Sequence, residues 1–270
     1  MKKSIAVVLA ILFVFPLAAC GAKAAKAPTA EEFYQFVIEK NQMAEQMDCH
    51  MEMQMKAEAQ DDSLTELADG ALDVTMSGDV RGEHVGKPGM RMAMPMQMQM
   101  LGMTIETNTY FADGYLLMDM MGMKVKTPLP IEEALEQFTA ANVQPLEYVD
   151  DLAITQDAAT GLYTVTYTMN MEKALEISEG YVGSMFGNLS EVQEQFTWDS
   201  CSGALVADAD GNLRSQTMDM VFSFKIEGVP VRCAMAMDCA YHEIGPDFRV
   251  EIPDPAEYTE ADAEALGLAA

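Results

Sequence analysis

The sequence predicts an α+β protein: a large curved antiparallel sheet of about nine or ten strands with three helices between them. Three observations carry this. Apolar and polar residues alternate over run after run, the period of a strand with one buried face. Gly-containing pairs such as Asp113-Gly114 separate those runs and mark tight hairpins. Three other stretches repeat apolar residues at helical spacing.

The first helix is expected over residues 29–47. Thr29 can cap it, and Glu32, three residues on, completes a capping box. Phe33, Phe36, Val37, Met43 and Met47 form its apolar stripe. A strand follows in which Cys49, Met51, Met53 and Met55 alternate with His50, Glu52, Gln54 and Lys56. In the next, Leu72, Val74 and Met76 alternate with Asp73, Thr75 and Ser77. Met90, Met92, Met94, Met96, Met98 and Met100 then occupy successive even positions, a strict period of two that no helix stripe gives. Pro95 lacks an N–H, so it predicts an edge strand or a bulge. A strand near 103–111 turns at Ala112-Asp113-Gly114 into a return strand over 115–125. Gly122 predicts a bulge there, because apolar parity shifts from Leu116, Met118 and Met120 to Met121, Met123 and Val125.

Pro130 opens a second helix, with Ile131, Ala134, Leu135 and Phe138 on one side. Strands near 147–156 and 161–169 precede a third helix over 171–186, which carries Ala174, Leu175, Tyr181, Val182 and Met185. Three last strands are expected near 196–207, 212–226 and 229–243. Met218, Met220, Phe222 and Phe224 share one face, and so do Cys233, Met235, Met237, Cys239 and Tyr241. The β blocks 48–126 and 147–252 can belong to one sheet.

The amino end predicts export. Met1-Lys2-Lys3 is basic, and Ile5–Phe15 is apolar but too short for a comfortable membrane span. Leu17-Ala18-Ala19-Cys20-Gly21 resembles the bacterial lipoprotein lipobox, which implies cleavage before Cys20 and a diacylglyceryl group on its sulfur. Each buried methylene contributes about 0.8 kcal/mol, so two or three acyl chains (palmitate, for example) hold a protein firmly. The expected location is the extracytoplasmic face of the cell membrane. Residues 1–19 are then a signal peptide, and 20–28 an anchor and flexible tether.

The net charge is −27. Loss of residues 1–19 removes Lys2 and Lys3 and no acid, leaving 14 Lys+Arg against 43 Asp+Glu, or −29. This argues against nucleic acid and against broad contact with anionic lipid heads. Besides Cys20 there are Cys49, Cys201, Cys233 and Cys239, an even set that permits two disulfides in three connectivities, or buried free thiols. Cys233 and Cys239 lie on one strand roughly 20 Å apart, too far to bond each other.

The chain carries 25 methionines, most on one strand parity. Met is unbranched and polarisable, and suits a surface that takes varied apolar partners. The candidate ligand face is Met51, Met53, Met55, Met92, Met94, Met96, Met98, Met118, Met120, Met218, Met220, Phe222, Met235 and Met237. A lipid or apolar small molecule is the expected ligand. The alternative is a filled core in a structural or interaction module. A third reading is Cu(I), which thioethers and thiolates select. Its best segment is Cys49-His50-Met51-Glu52-Met53-Gln54-Met55, although His50 points away from that face. No enzyme is expected and no cofactor, since nucleophile elbows, phosphate loops and dinucleotide fingerprints are missing from the sequence. His50, His84 and His242 have no metal-ligand spacing. Asp208-Ala209-Asp210-Gly211-Asn212 begins like a calcium loop, but Leu213 stands where the loop needs glycine, so a hairpin turn is expected.

Tyr110-Phe111-Ala112-Asp113-Gly114-Tyr115 leading into Met118-Asp119, Asp210-Gly211-Asn212-Leu213, and the closing Val250-Glu251-Ile252-Pro253 complete a pattern with the lipobox and first helix. It resembles a DUF6612-like family of Firmicute surface lipoproteins of unassigned function, within the LolA/LppX-like lipoprotein-carrier superfamily. The resemblance covers nearly all of the chain after Cys20. It implies a domain over 29–255 followed by a tail at 256–270. That domain would be a half-open barrel of about 9–11 strands, its concave face covered by helices and able to hold lipid. It carries over no catalytic residues.

Overall fold

Every strand pairs with its neighbour in a single sheet in this computed structural model, which describes residues 27–42, 44–60, 71–132, 134, 145–170, 173, 197–226 and 229–261. The expected signal, Cys20, the segments 135–144 and 174–196 that make up most of the second and third helices, and residues 262–270 lie outside those described.

One helix, α1 (Ala30–Gln42), comes first. The amino half of the sheet is β1 (Gln46–Ala59), β2 (Ala71–Glu83), β3 (Arg91–Met100), β4 (Met103–Ala112), β5 (Tyr115–Met120) and β6 (Met123–Pro128). The carboxyl half is β7 (Val149–Gln156), β8 (Tyr163–Met169), β9 (Thr197–Ala207), β10 (Leu213–Ile226) and β11 (Val229–Tyr241), with a two-residue β12 (Thr259–Glu260). The order is β12-β6-β5-β4-β3-β2-β1-β11-β10-β9-β8-β7 in one 12-stranded sheet, so β1 and β11 join the two blocks. The sheet is curved and unclosed, and antiparallel except where β12 runs parallel to β6.

The described residues are mostly β, which corrects the expected α+β class, and they do not show helices covering a concave face. The expected nine to eleven strands also fall short of the twelve found. One extra strand comes from Gly122. It is not a bulge within a return strand over 115–125. Met121 (φ 53°) and Gly122 (φ 81°) form a two-residue turn that makes β5 and β6 a hairpin. A parity shift arises from either device, and here the turn caused it. The other is β12, whose two residues are too few to show a period.

Pro95 is likewise neither at an edge nor in a bulge. β3 is an interior strand, and its register to β2 is the same on both sides of Pro95. The ladder lapses only at Asp79 and Val80, where the missing N–H faces β2. Gly78 accommodates this: a Cβ there would fall 2.1 Å from the Pro95 carbonyl oxygen.

The expected capping box is present. Thr29 N–H donates to Glu32 Oε2 at 3.0 Å, and Glu32 N–H donates to Thr29 Oγ1 at 3.2 Å. The helix stops at Gln42, earlier than residue 47, and Met47 lies in β1 instead. Its buried side is Phe33, Tyr34, Val37 and Ile38, while Phe36 leans outward over the Gly211 turn. Lys40 Nζ and Asn41 Nδ2 donate to the carbonyls of Asp210 and Gly211 and fasten the helix end there. Phe33 packs against Tyr163 with the rings tilted and 4.6 Å between centroids, and Tyr34 meets Tyr167 edge-on at 5.5 Å. α1 therefore covers the β7–β10 side of the sheet.

Candidate functional site

Register decides which side chains share a face, because directly paired residues project to the same side. One row across the sheet reads Met218, Met237, Met53, Met76, Met98 and Ile105. The next reads Met220, Met235, Met55, Val74, Met100 and Met103. A third reads Gln216, Cys239, Met51, Gly78, Met96, Thr107 and Met120. The opposite face carries Thr217, Asp238, Glu52, Ser77, Gln97 and Glu106 in one row. All fourteen expected face residues thus lie on one side. Sequence reading left Met76, Met100 and Ile105 out of that set, although Met76 sits at its centre. Its signal was present in the alternation of 72–77 but was too short to weigh alone.

Burial divides this face. Met92, Met218, Met220, Phe222 and Met235 are buried in the protein's own packing. Met51, Met53, Met55, Met94, Met96, Met98, Met118 and Met237 are half-buried, and Met120 is exposed. A large cluster under α1 takes in Val165, Tyr167, Leu205, Met218, Met220 and Met235, with Met53, Met55 and Met237 against it. A second cluster at the other end of the face joins Cys49, Met90, Met92, Phe111 and Leu116, with Met51, Met94 and Met118 against it. Met76, Met96, Met98 and Met100 belong to neither cluster. They form a contiguous half-buried patch on β2 and β3 between the two.

The patch ends beside two exposed hairpin tips. Leu101 and Met121 are 61% and 75% exposed, and both adopt a left-handed backbone, at φ 52° and 53°. Asn or Asp is the usual residue ahead of Gly in such turns. An open depression of about 640 Å³ lies nearby, lined by Thr104, Glu106, Asn108 and Asp119 with Met121 beside them. Thr104, Glu106 and Asn108 project from the polar face, whereas Ile105, which also lines the depression, belongs to the methionine row.

Cys49, Cys201, Cys233 and Cys239 are free, buried thiols, all on the apolar face. Of the two alternatives the sequence left open, disulfides or buried free thiols, the structure has the free thiols. Burial pushes the Cys49 thiol up to about 12 and the other three to about 11. At neutral pH they stay protonated and are poor nucleophiles, unlike reactive thiols, whose surroundings lower the value. Burial likewise raises Tyr167 to about 12.

Among the described residues no group of three or more His, Cys, Asp or Glu side chains converges on a metal position. His50 projects from the polar face, as expected, and its Nδ1 lies 2.8 Å from Asp79 Oδ1. His242 Nδ1 lies 3.2 Å from Asp48 Oδ1. The 208–212 segment is a hairpin turn, as expected. Asp208 Oδ1 accepts from the N–H groups of Asp210 and Asn212, and its Oδ2 accepts from Asn212 Nδ2 and Arg214.

The match to a known family covers residues 29–259. The chain belongs to DUF6612, a family of unknown function. No curated protein matches it. Among solved structures it is similar to LprF from Mycobacterium bovis, with 14% identity over 84% of this chain and 96% of that one and a TM-score of 0.40. It is also similar to the ywiB protein from Bacillus subtilis, with 8% identity over 76% of this chain and 99% of that one and a TM-score of 0.23.

Proposed function

We propose that this DUF6612 protein is a lipid-anchored extracytoplasmic lipoprotein that holds a lipid or another apolar small molecule against its methionine face and catalyses no reaction. In this reading residues 1–19 direct export, Cys20 carries the lipid, residues 20–28 are the tether and 29–255 the binding domain. The observation that carries the reading is the patch of Met76, Met96, Met98 and Met100, which neither core cluster absorbs. Fully burying a Met side chain is worth about 1.5–3 kcal/mol, so a half-buried patch of four retains a substantial drive to be covered. The unbranched thioethers adapt to an acyl chain without fixing its shape. The charge of −29 left after loss of residues 1–19 (14 Lys+Arg against 43 Asp+Glu) favours a neutral or zwitterionic ligand over an anionic headgroup.

Native mass spectrometry of the full chain, released from membranes and transferred to volatile buffer, tests this. The expected spectrum shows the acylated chain with a further lipid-sized adduct, lost when Met76→Glu and Met98→Glu are combined. An adduct-free protein that also fails to load lipid from phosphatidylcholine vesicles overturns the reading and leaves a filled-core interaction module.

A further inference from the structure

Strand register sets two thiols and two thioethers as neighbours on the apolar face. Met51 on β1 is directly opposite Cys239 on β11. Cys49, two residues before Met51, shares its face and is diagonal to Cys239 across the same ladder. On the other side of Met51, β2 supplies Gly78, and β3 pairs Met96 with that glycine. A Cβ on Gly78 would fall 2.7 Å from the Met96 sulfur. The absent side chain is thus replaced by the Met96 thioether, lying over the strand next to Met51. Directly opposed Cβ atoms are about 4.5–5.5 Å apart and diagonal ones about 7–8 Å. Side chains of this length close those gaps around one ion. The diagonal placement of Cys49 and Cys239 is poor for a disulfide, whose Cα atoms need to lie within about 7 Å.

The chemistry of the set is selective. Each donor is sulfur, and the nearby hard ligands, His50, Asp79 and Glu52, sit on the opposite face. Gln216 and Tyr241 are the adjacent polar groups on this face, and the Tyr241 hydroxyl is directed to Gln216 Oε1 at 3.4 Å. Soft thiolate and thioether donors select Cu(I), whereas zinc sites use Cys, His and carboxylate. Cys49 and Cys239 are buried, but Met51 and Met96 are half-buried and give the ion a path from solvent.

We propose that Cys49, Met51, Met96 and Cys239 form a Cu(I)-binding site. The site goes beyond lipid binding and does not depend on it. Binding involves no electron transfer: the metal arrives and stays as Cu(I), and each thiol that binds as thiolate releases one proton to the buffer.

The test is an anaerobic titration of the full chain with Cu(I) against bicinchoninate, following the colour of the competitor complex. A single tight Cu(I) per chain is expected. Affinity should fall about 100-fold in Cys239→Ser and about tenfold in Met51→Leu, a near-isosteric change that preserves the fold. Cys201→Ser, elsewhere on the same face, should leave it unchanged. Copper-edge X-ray absorption should show a first shell of sulfur only. Absence of tight binding overturns the proposal. So does binding that survives Cys239→Ser and Met51→Leu undiminished, since the ion would then be held elsewhere among the methionines. A disulfide between Cys49 and Cys239 in the isolated protein, found by peptide mapping, overturns it as well.

Discussion

The two halves of the apolar face have similar chemistry and different surroundings. On the β7–β10 side, α1 lays Phe33, Tyr34 and Val37 onto the sheet, each 3% exposed or less. On β2 and β3, Met76, Met96, Met98 and Met100 stay half-buried in the same sheet. The first half is a core, and the second has the composition of one but joins neither core cluster among the described residues. The difference shows that alternation specifies a face and not what lies on it. The residues of the covered side include aromatic and β-branched side chains with fixed shapes, such as Val165, Tyr167 and Tyr163. The open side is nearly all Met, the side chain least committed to one packing partner.

The largest effect separating the halves is on stability. Phe33→Ala removes a buried ring from the helix-covered half and should cost about 3–5 kcal/mol. Met98→Ala removes a half-buried chain from the open half and should cost about 1 kcal/mol or less. Urea unfolding of the two variants measures both. Equal losses would mean that the open half is packed as tightly as the covered one.

Alkaline pH gives a smaller effect that reports on burial across both halves. Each thiol is raised from 9.0 to about 11 or 12 in the folded chain. Above about pH 9 the unfolded chain loses these protons while the folded chain keeps them, so stability should fall as pH rises from about 9 to 11 and above. Below pH 9 the four thiols should contribute no slope. Denaturation midpoints across this range test the sign. Alkylation of the native chain at pH 8 should be slow at all four sites.

The smallest effect concerns the tips beside the open half. Leu101 and Met121 each pay for a left-handed backbone that Asn tolerates better. Leu101→Asn and Met121→Asn should each stabilise by about 0.5–1 kcal/mol. A loss instead would show that these tips pack against something in solution.

Much of this organisation was legible in the sequence, and the misses have identifiable causes. The common face of Met51, Met98, Met118, Met218 and Met235 followed from parity, because hairpin register carries parity from strand to strand. The capping box at Thr29 and Glu32 was equally plain, since both partners are local. The junction of β1 with β11, which sets Cys239 opposite Met51, was not legible: it pairs residues far apart in the chain. Pro95 misled because its tolerance depends on Gly78 in the neighbouring strand. Gly122 misled because a turn and a bulge leave the same trace in apolar parity. Which methionines α1 covers depends on where it docks, and that is set by its contacts with the Gly211 turn and Tyr163.

The most direct test of the central claim is photo-crosslinking of the full chain, incorporated in phosphatidylcholine vesicles, with a diazirine-bearing fatty acid, followed by peptide mapping. The account predicts label concentrated on the β2–β3 segment that holds Met76, Met96, Met98 and Met100, with little on Val165, Tyr167 or Leu205 beneath α1. Label spread evenly over the chain, or concentrated under the helix, would contradict it.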